Sequence, residues 1–428
     1  MKDIRVFLLS YSNTRALQQA ITSLQLIIQR VEGITVIDVP DFLFDVFDSV
    51  TTQPEAEYVK LNNNNLGKTL NDYIKEQSCE YVLFLYDQDY LNKNIMGEQL
   101  GLNNKKNVMT YQYTIKDKTI QRPFLVRTYF LKQNMFFQDN GVPFKEAIMP
   151  SWLSQVDPSH VVPEGRSVIG QLSKDTTTSN FEKIKFIEKY QTNVSNPIIN
   201  PSVAVMISNY NMADYVGIAI NSCFLQSSPP EQVLVVDDGS TDESYKMLER
   251  WIYHPRFKLL SKENGGKAKA LNELLPYIET EFIVELDADD WLDPDALLII
   301  RKYLRDLNDD VAVLYGNLRT WKQLRSGDVK YKGIQKGKQV LNQKELLSYT
   351  FPLGPRIYRT FALRDNNGFP ITDFEGGRMY EDVSILNDLL KKNSLLYKDF
   401  TVYNVREHEL SITKKNHSNW SDFIKYLN

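Results

Sequence analysis

The fold is decided by the stretch from Glu281 to Asp295, E-F-I-V-E-L-D-A-D-D-W-L-D-P-D. Its apolar residues, ending at Leu286, predict a mostly buried strand, and the carboxylates of Asp287, Asp289 and Asp290 follow where that strand would end. Carboxylates this close repel one another. A hard cation such as Mg²⁺ or Mn²⁺ held among them is the natural remedy, because such ions prefer oxygen ligands.

A simpler interpretation is that the acidic residues cap a helix. Asp293 would be the N-cap and Pro294 the first-turn proline of a helix over Asp295–Leu304. One cap needs only one carboxylate, so capping accounts for Asp293 better than for Asp287 and Asp289.

Length and composition describe an ordinary globular protein of roughly two or three domains. The 428 residues are 42% hydrophobic and 24% charged, with a formal net charge of −4, so no nucleic-acid partner is expected. We expect no transmembrane segment and a cytoplasmic location, with peripheral membrane contact left open, because no long apolar run or secretory leader is present. Cys79 and Cys223 are too few for a disulfide framework and are expected to be buried thiols.

Strands and helices alternate from the start of the chain. A strand over Ile4–Ser10 is followed by a helix over Arg15–Val31, and a strand over Glu80–Leu85 follows a helix over Lys68–Gln77. Lengths of this kind predict an α/β fold with a mainly parallel sheet.

The same order begins again at Ser202, with matching residues. Subtracting 199 or 201 pairs identical residues, among them Tyr210 with Tyr11, Asp237 with Asp38, Asn272 with Asn71, Glu281 with Glu80 and Asp290 with Asp89. We interpret this as a duplication, two tandem copies of one module. The predicted domains are residues 1–165 and 201–428, joined by a linker over 166–200 that contains a short helix at Phe181–Tyr190.

The second copy carries two further polar turns. A strand over Gln232–Val236 delivers Asp237 and Asp238 to the edge where α/β sheets bind ligands, where a carboxylate would accept hydrogen bonds from a base or a ribose hydroxyl. The glycine-rich turn Asn264–Lys267 opens the next helix and suits a phosphate-bearing ligand. It is not a Walker A sequence, and either turn alone is also explained as a plain turn and cap.

Together, S-N-Y-N at 208–211, D-D-G-S-T-D at 237–242, N-G-G-K at 264–267 and D-A-D-D at 287–290 resemble the motifs of a family-2 glycosyltransferase of GT-A fold. The resemblance covers about Pro201–Ser411 and implies two tandem GT-A domains of Rossmann-like type, the first degenerate. It also implies a nucleotide-diphosphate sugar donor, commonly a UDP-sugar, with Mn²⁺ or Mg²⁺ bridging the diphosphate to the D-x-D carboxylates.

Site residues follow from the same resemblance, residue by residue. The metal ligands would be Asp289, Asp287 and His408, with Asp289 the more direct one and Asp287 toward the ribose. The donor-binding residues would be Ser208, Tyr210, Asn211, Asp237, Asp238, Asn264, Gly265, Lys267, Asn272 and Asp287. A lone histidine such as His408 is also explained as a structural residue.

The resemblance further implies an acidic pair at the start of a helix, and Glu381-Asp382 before a helix over Val383–Lys392 fits it. Asp382 would be the general base, because an inverting transfer needs a group that takes the proton of the acceptor hydroxyl. The alternative is an acidic first turn that only favours the helix dipole. Gly376 and Gly377 would line the acceptor side.

The first copy departs from these motifs. Tyr86 and Gln88 replace Asp287 and Asp289 by the 201 shift, although a one-residue slip would keep Asp87-Gln88-Asp89 as a D-x-D. No Glu-Asp pair appears near Lys145, so we expect a degenerate domain that supports the active copy, pairs two subunits or binds acceptor.

The predicted function is therefore a metal-dependent inverting glycosyltransferase that moves a hexosyl or N-acetylhexosaminyl group. Its acceptor would be a glycan, a lipid-linked molecule, a protein or a small molecule, and a homodimer is possible. Two alternatives stay open: a nucleotidyltransferase, which also uses carboxylate-held metal, and a catalytically inactive binding scaffold.

Overall fold

The structure is a computed structural model that describes residues 2–40, 56–62, 65–95, 100–136, 141–163, 168–172, 176–191, 200–348, 353–374, 379–408 and 420–427. The chain divides into two compact units, Met1–Gln191 and Thr192–Asn428. Each is described by itself. None of the described helices has the length and apolar character needed to cross a bilayer.

The first unit is built on a seven-stranded sheet of order β3-β2-β1-β4-β7-β6-β8, with a small second sheet of β5 and β9. Its strands are β1 (Ile4–Leu9), β2 (Val31–Ile37), β3 (Ala56–Val59), β4 (Tyr81–Tyr86), β5 (Asp89–Leu91), β6 (Val108–Ile115), β7 (Lys118–Arg127), β8 (Val161–Pro163) and β9 (Ile169–Gln171). The four strands from β3 to β4 are parallel, and β7 runs antiparallel to β4.

The helices of the first unit are α1 (Thr14–Ser23), α2 (Leu66–Glu76), α3 (Thr128–Gln133), α4 (Ile148–Ser154) and α5 (Thr178–Glu188). Short 3-10 turns cover Leu24–Ile27, Lys145–Ala147, Pro158–His160 and Lys189–Gln191. The helix predicted over Arg15–Val31 is shorter, because the chain tightens after Ser23 and Val31 already belongs to β2.

The first unit reaches further along the chain than the predicted domain, which ends at residue 165. β9 pairs with β5, and α5 packs into the unit through Phe186, whose ring centroid lies 5.3 Å from that of Phe144. Lys183 on the same helix is 3% exposed and forms an ion pair with Glu146 at 3.1 Å. A helix with buried side chains is part of a core and not a bare linker, so much of 166–200 belongs to this unit.

The second unit is built on a nine-stranded sheet of order β12-β11-β10-β13-β17-β15-β18-β14, with β16 paired to β15. Its strands are β10 (Val203–Asn209), β11 (Gln232–Asp237), β12 (Phe257–Ser261), β13 (Phe282–Glu285), β14 (Trp291–Leu292), β15 (Val311–Gln323), β16 (Val329–Gln335), β17 (Ile357–Arg359) and β18 (Ser394–Glu407). Strands β12, β11, β10 and β13 are parallel, so the predicted α/β fold with a mainly parallel sheet core is confirmed.

Helices cover both faces of this sheet, and the buried side chains form one apolar cluster on each face. The helices are α6 (Val216–Phe224), α7 (Ser244–Leu248), α8 (Lys267–Leu274), α9 (Ala296–Leu304), α10 (Gln343–Leu347), α11 (Thr360–Asp365), α12 (Glu381–Leu389) and α13 (Trp420–Leu427), with 3-10 turns at Glu249–Trp251 and Leu275–Tyr277. Cys79 and Cys223 are buried free thiols, as predicted.

The two sheets share more than their strand order. In the first, Tyr81 on β4 pairs with Arg127 on β7; in the second, Phe282 on β13 pairs with Arg359 on β17. In each pair the guanidinium lies over the aromatic ring, at 5.3 Å and 4.9 Å from its centroid. These matches in register support the interpretation of a duplication.

Candidate active site

The candidate site of the second unit lies where β10, β11 and β13 end. Parallel strands bring their carboxyl ends to one edge of a sheet, and open α/β sheets bind ligands there. Asn209 ends β10 and Asp237 ends β11, and the two are paired in the sheet. The D-x-D segment begins two residues after β13, and His408 follows the end of β18.

Asp237 is held by its own turn. Its Oδ1 accepts hydrogen bonds from Asn209 Nδ2 at 2.8 Å and Ser240 Oγ at 2.6 Å, and its Oδ2 accepts one from the Ser240 N–H at 3.0 Å. Asn211 has a φ of +54°, and its Oδ1 accepts a hydrogen bond from the Thr241 N–H at 2.7 Å. The turn after β10 and the turn after β11 are thereby joined into one rim.

Tyr210 and Ser208 belong to the same rim. Tyr210 is 43% exposed, so its ring is available to a ligand. Ser208 lies on β10 and is half-buried beside Asn209. The structure thus brings these predicted donor residues to the edge that carries Asp237.

Asp238 shapes the glycine-rich turn. Its Oδ1 accepts hydrogen bonds from the Gly265 N–H at 2.9 Å and Lys262 Nζ at 3.0 Å, and its Oδ2 accepts one from the Gly266 N–H at 2.8 Å. Asn264 Nδ2 donates to the Asp238 carbonyl at 2.9 Å. Asp238 is 3% exposed, so its carboxylate holds the start of α8 in place.

Close approach of the two turns requires a glycine at 239. Gly239 has a φ of +72°, and a Cβ there would lie 2.6 Å from the Asn264 nitrogen. A Cβ cannot approach a backbone nitrogen this closely, so any side chain at position 239 would push the glycine-rich turn away from β11.

Lys267, the first residue of α8, connects three carboxylates. Its Nζ lies 2.5 Å from Asp287 Oδ1, 2.8 Å from Glu285 Oε1 and 3.6 Å from Glu381 Oε1. Burial disfavours the ammonium, but Asp287, Glu285 and Glu381 hold the pKa of Lys267 well above its ordinary value. Lys267 is therefore a fixed positive charge beside the D-x-D segment.

Beneath Lys267 lies a buried ion pair that the sequence analysis missed. Arg356 Nε and Nη2 donate to the two carboxylate oxygens of Glu285, each at 2.9 Å, and the Tyr358 hydroxyl donates to Glu285 Oε2 at 2.9 Å. Burial raises the pKa of Glu285, but Arg356 and Lys267 outweigh it and lower that pKa below its ordinary value. The available signal was a glutamate inside an apolar strand, since a buried charge needs a partner.

Arg356 also reaches the predicted base. Its Nη1 lies 3.5 Å from Asp382 Oδ2. Glu381 and Asp382 form the first turn of α12, two residues earlier than the predicted helix start, and Asp382 Oδ1 accepts a hydrogen bond from the Val383 N–H at 2.9 Å. Burial raises the pKa of Glu381 to about 7, Lys267 opposes this shift and Asp382 adds to it.

The second aspartate of the D-x-D contacts the predicted histidine. His408 Nε2 lies 2.9 Å from Asp289 Oδ2, and the side chains are 4% and 21% exposed. An oxygen and a nitrogen donor side by side fit a divalent cation. Among the described residues no group of three or more His, Cys, Asp or Glu side chains is arranged to hold a metal ion.

Asp290 is structural in its contacts. It is 4% exposed, and its Oδ1 accepts a hydrogen bond from the Arg406 N–H at 2.8 Å. Burial, together with Asp289 and Asp287, holds the pKa of Asp290 well above its ordinary value. The carboxyl group therefore anchors the D-x-D segment to β18.

Two further residues of β18 were not found from the sequence. The guanidinium of Arg406 lies between the rings of Tyr215 and Trp291, at 5.0 Å and 4.8 Å from their centroids, and its Nε donates to the Asp289 carbonyl at 3.0 Å. Tyr403 Oη accepts a hydrogen bond from the Asp287 N–H at 3.0 Å. Their positions depend on how β18 pairs with β14, which no local pattern specifies.

The side chain of Asn272 is hydrogen-bonded to the backbone of Phe369. Its Nδ2 donates to the Phe369 carbonyl at 2.8 Å, and its Oδ1 accepts from the Phe369 N–H at 2.7 Å. Asn71 makes the same pair of bonds to Phe136 in the first unit, at 2.8 Å and 2.9 Å. The two asparagines therefore make the same backbone contacts in the two units, and the donor-binding role of Asn272 stays a prediction.

Asp293 and the acceptor-side glycines complete the comparison with the predicted residues. Asp293 is fully buried and its Oδ1 accepts hydrogen bonds from Arg319 Nη1 at 2.6 Å and Asn404 Nδ2 at 2.8 Å, while Asp295 takes the N-cap position of α9. Gly376 and Gly377 lie outside the described residues.

The first unit has apolar residues at the positions that match the charged cluster of the second unit. By the same register, Leu66 takes the place of Lys267, Phe84 that of Glu285 and Phe124 that of Arg356; all three are buried. Asp38, which corresponds to Asp237, forms an ion pair with Lys145 Nζ at 2.7 Å.

Asp89 takes the place of Asp290, as the 201 shift predicts. It is fully buried, and its carboxylate accepts hydrogen bonds from the Tyr86 N–H at 3.0 Å, Gln171 Nε2 at 2.6 Å and the Tyr111 hydroxyl. A carboxylate surrounded in this way is not placed as the second ligand of a D-x-D, so these contacts favour the 201 shift over the one-residue slip.

Comparison with known proteins finds a matching family model for part of the second unit. Residues 204–378 match the family model described as "Glycosyl transferase family 2". The match ends before Glu381 and Asp382. The chain is 33% identical over 130 residues to a hyaluronan synthase of Pasteurella multocida, which covers 29% of this chain and 13% of that protein.

A second relative is the poly(ribitol-phosphate) beta-N-acetylglucosaminyltransferase TarS of Staphylococcus aureus (strain Mu50), 27% identical over 173 residues, 38% of this chain and 28% of that protein. The chain therefore spans less than a third of the length of either relative. Among solved structures, S. aureus TarS 1-349 in complex with UDP-GlcNAc aligns with a TM-score of 0.39 and 22% identity, over 50% of this chain and 61% of that one.

Proposed function

We propose that the second unit, whose residues 204–378 match the model of glycosyl transferase family 2, is a metal-dependent inverting glycosyltransferase. It would move a sugar from a nucleotide-diphosphate sugar, a UDP-sugar in the first instance, to an acceptor hydroxyl. Two relatives are named for hyaluronan synthesis and for N-acetylglucosaminyl transfer to poly(ribitol-phosphate), so an N-acetylglucosaminyl donor and a polymeric acceptor are the first choices.

One observation carries the proposal. The D-x-D residue Asp287 and the candidate base Asp382 belong to one connected polar cluster. Lys267 joins Asp287 to Glu285 at 2.5 Å and 2.8 Å, and Arg356 joins Glu285 to Asp382 at 2.9 Å and 3.5 Å. A direct transfer between two substrates needs a group that binds the donor and a group that activates the acceptor in fixed relative positions, and one network would hold both.

The donor end of this cluster suits a nucleotide diphosphate. The rim around Asp237 and Tyr210 offers a partly exposed ring and a polar edge to a nucleoside, and Lys267 at the start of α8 offers a positive charge to phosphate oxygens. Asp289 and His408 would hold the cation. The cation would neutralise charge on the leaving diphosphate.

At the acceptor end, Asp382 would take the proton of the attacking hydroxyl. The hydroxyl oxygen forms a bond to the anomeric carbon from the face opposite the diphosphate, the bond from that carbon to the diphosphate oxygen breaks, and the nucleoside diphosphate leaves. Arg356 Nη1 lies 3.5 Å from Asp382 Oδ2 and would help to hold that carboxylate in position.

The first unit, in this proposal, is a degenerate copy that does not turn over donor. Its support is the exchange of Lys267, Glu285 and Arg356 for apolar residues, and the ion pair that Lys145 makes with Asp38. We assign it a supporting role.

The test is release of UDP from UDP-GlcNAc by the full chain with Mn²⁺. We expect Asp382→Asn to lower turnover at least about 100-fold, because general base catalysis typically contributes that much or more. UDP binding, measured by calorimetry with Mn²⁺, should change less than about twofold, since Asp382 is on the acceptor side.

Asp388→Asn is the matched control, since Asp388 lies on the same helix and pairs with Lys391 at 2.6 Å. Full turnover by Asp382→Asn would exclude Asp382 as the base. Release of pyrophosphate in place of UDP would identify a nucleotidyltransferase, and a chain that binds neither UDP nor Mn²⁺ would be a scaffold.

A further inference from the structure

The residue before the candidate acidic pair has an unusual backbone. Tyr380, at the N-cap of α12, has a φ of +59° and a ψ of +26°, in the left-handed region. Bulky residues avoid this region because the Cβ approaches the following carbonyl. Such a conformation persists only where surrounding contacts hold it, and it is found most often beside functional groups.

The contacts that hold Tyr380 come from α13. The ring of Phe423 stacks on that of Tyr380 with centroids 4.5 Å apart and planes inclined by 27°, and Phe423 is fully buried. Trp420 meets the Tyr380 ring edge-on at 5.3 Å. Tyr380 is therefore covered by two rings from one helix.

Helix α13 also contacts Asp373 and Phe374, which precede Tyr380 in the chain. Phe374 lies 5.3 Å from Phe423 and 5.6 Å from Tyr426, centroid to centroid, and the Asp373 N–H donates to Tyr426 Oη at 3.2 Å. With Phe423 at its centre, the cluster of rings fixes the backbone on which α12 begins.

The backbone of Tyr380 in turn sets the first turn of α12. Its carbonyl accepts hydrogen bonds from the Ser384 N–H and the Ser384 Oγ, both at 2.9 Å. The side chain of Tyr380, the N-cap residue, makes no capping hydrogen bond. The directions of Glu381 and Asp382 therefore depend on the Tyr380 backbone.

We propose that Phe423 is a positioning residue for the candidate base Asp382, acting through the stack on Tyr380. This inference rests on the proposed function for its effect on catalysis. α13 would keep Asp382 in the geometry for proton transfer, whereas the donor rim, carried by β10 and β11, would be independent of α13.

The experiment compares Phe423→Ala, which removes the ring, with Phe423→Tyr, which keeps it. The matched control is Phe361→Ala, because Phe361 is a 74% exposed phenylalanine of the same unit. Each variant of the full chain is assayed for UDP release from UDP-GlcNAc with Mn²⁺, for UDP binding and for amide hydrogen exchange.

We expect Phe423→Ala to lower kcat at least tenfold with less than twofold change in the Kd for UDP. Amide exchange over Asp382–Leu386 should be at least tenfold faster, with no change over Phe282–Glu285 of β13. Phe423→Tyr and Phe361→Ala should stay within twofold of the unmodified chain in every measurement.

Unchanged exchange over Asp382–Leu386 in Phe423→Ala would overturn the proposal. A loss of UDP binding in Phe423→Ala would also overturn the proposal. Exchange in β13 that is accelerated as much as in α12 would do the same, because either result would show a general loss of stability. The exchange measurement needs no turnover, so it tests the positioning role even if the chain does not use UDP-GlcNAc. Absence of UDP release by the unmodified chain would contradict the proposed function and not the positioning role.

Discussion

At Glu381 three influences meet on one carboxyl group. Burial raises its pKa to about 7, Lys267 lowers it and Asp382 raises it again. In the unfolded chain the pKa is near the ordinary value of 4.5. Between these two values the folded state binds the proton more tightly than the unfolded state does.

Glu381 should therefore make the second unit less stable as pH rises from 4.5 to 7. Its favourable contribution is present below pH 4.5 and is lost by pH 7, a loss of about 3 to 4 kcal/mol at about 1.4 kcal/mol per pKa unit. Urea unfolding of the full chain and of Glu381→Gln from pH 4.5 to 8 measures this loss. A difference in free energy of unfolding that is constant over this range would contradict the pKa shift.

At the scale of elements, the helix after each glycine- or asparagine-rich turn is clamped to a distant backbone segment. Asn272 on α8 binds both backbone groups of Phe369, and Asn71 on α2 binds those of Phe136. Neither partner is close in sequence. The same asparagine clamp is thus found in both units, although the charged residues around Asn272 have apolar residues at the matching positions of the first unit.

Replacing Asn272 with Ala should destabilise the second unit and leave the donor site intact. Two backbone groups of Phe369 lose their partners, which costs about 2 kcal/mol. Urea denaturation measures this cost, and calorimetry should show UDP affinity within about threefold of the unmodified chain.

Asn71→Ala is the matched variant, with a similar loss in the first unit and no effect on UDP. If Asn272→Ala instead abolishes UDP binding at unchanged stability, Asn272 contacts the donor as the family resemblance implied.

For the whole molecule, the two units differ in what lies under the ends of their strands. In the second, Lys267, Glu285 and Arg356 form a charged layer beneath the D-x-D. In the first, the same places hold Leu66, Phe84 and Phe124. An apolar layer cannot hold the paired charges that a diphosphate and a proton acceptor need.

One chain should therefore bind one UDP. Asp237→Asn should abolish binding, because Asp237 organises the nucleoside rim, whereas Asp38→Asn, at the counterpart position, should leave stoichiometry and affinity unchanged. Titration calorimetry with UDP and Mn²⁺ gives both numbers. Two bound UDP molecules per chain, or loss of one on Asp38→Asn, would show that the first unit still binds nucleotide.

Local patterns were sufficient for much of this molecule. Apolar runs ending in polar turns predicted where β11 and β13 end to within one residue, since a buried parallel strand must be apolar and its end must turn. The family resemblance at 204–378 was confirmed, and Asp289 and His408, far apart in sequence, do lie 2.9 Å from each other. The roles of the site residues remain predictions.

What the sequence determined by itself was the order of strands and helices and the positions of the acidic turns, because these depend on near neighbours along the chain. Only the tertiary structure decided the partners of the buried charges. Arg356 lies beside Glu285, and Phe423 on Tyr380, because β17 and α13 pack there. A buried charge or a strained backbone requires some compensating contact, but the sequence does not say which distant residue supplies it.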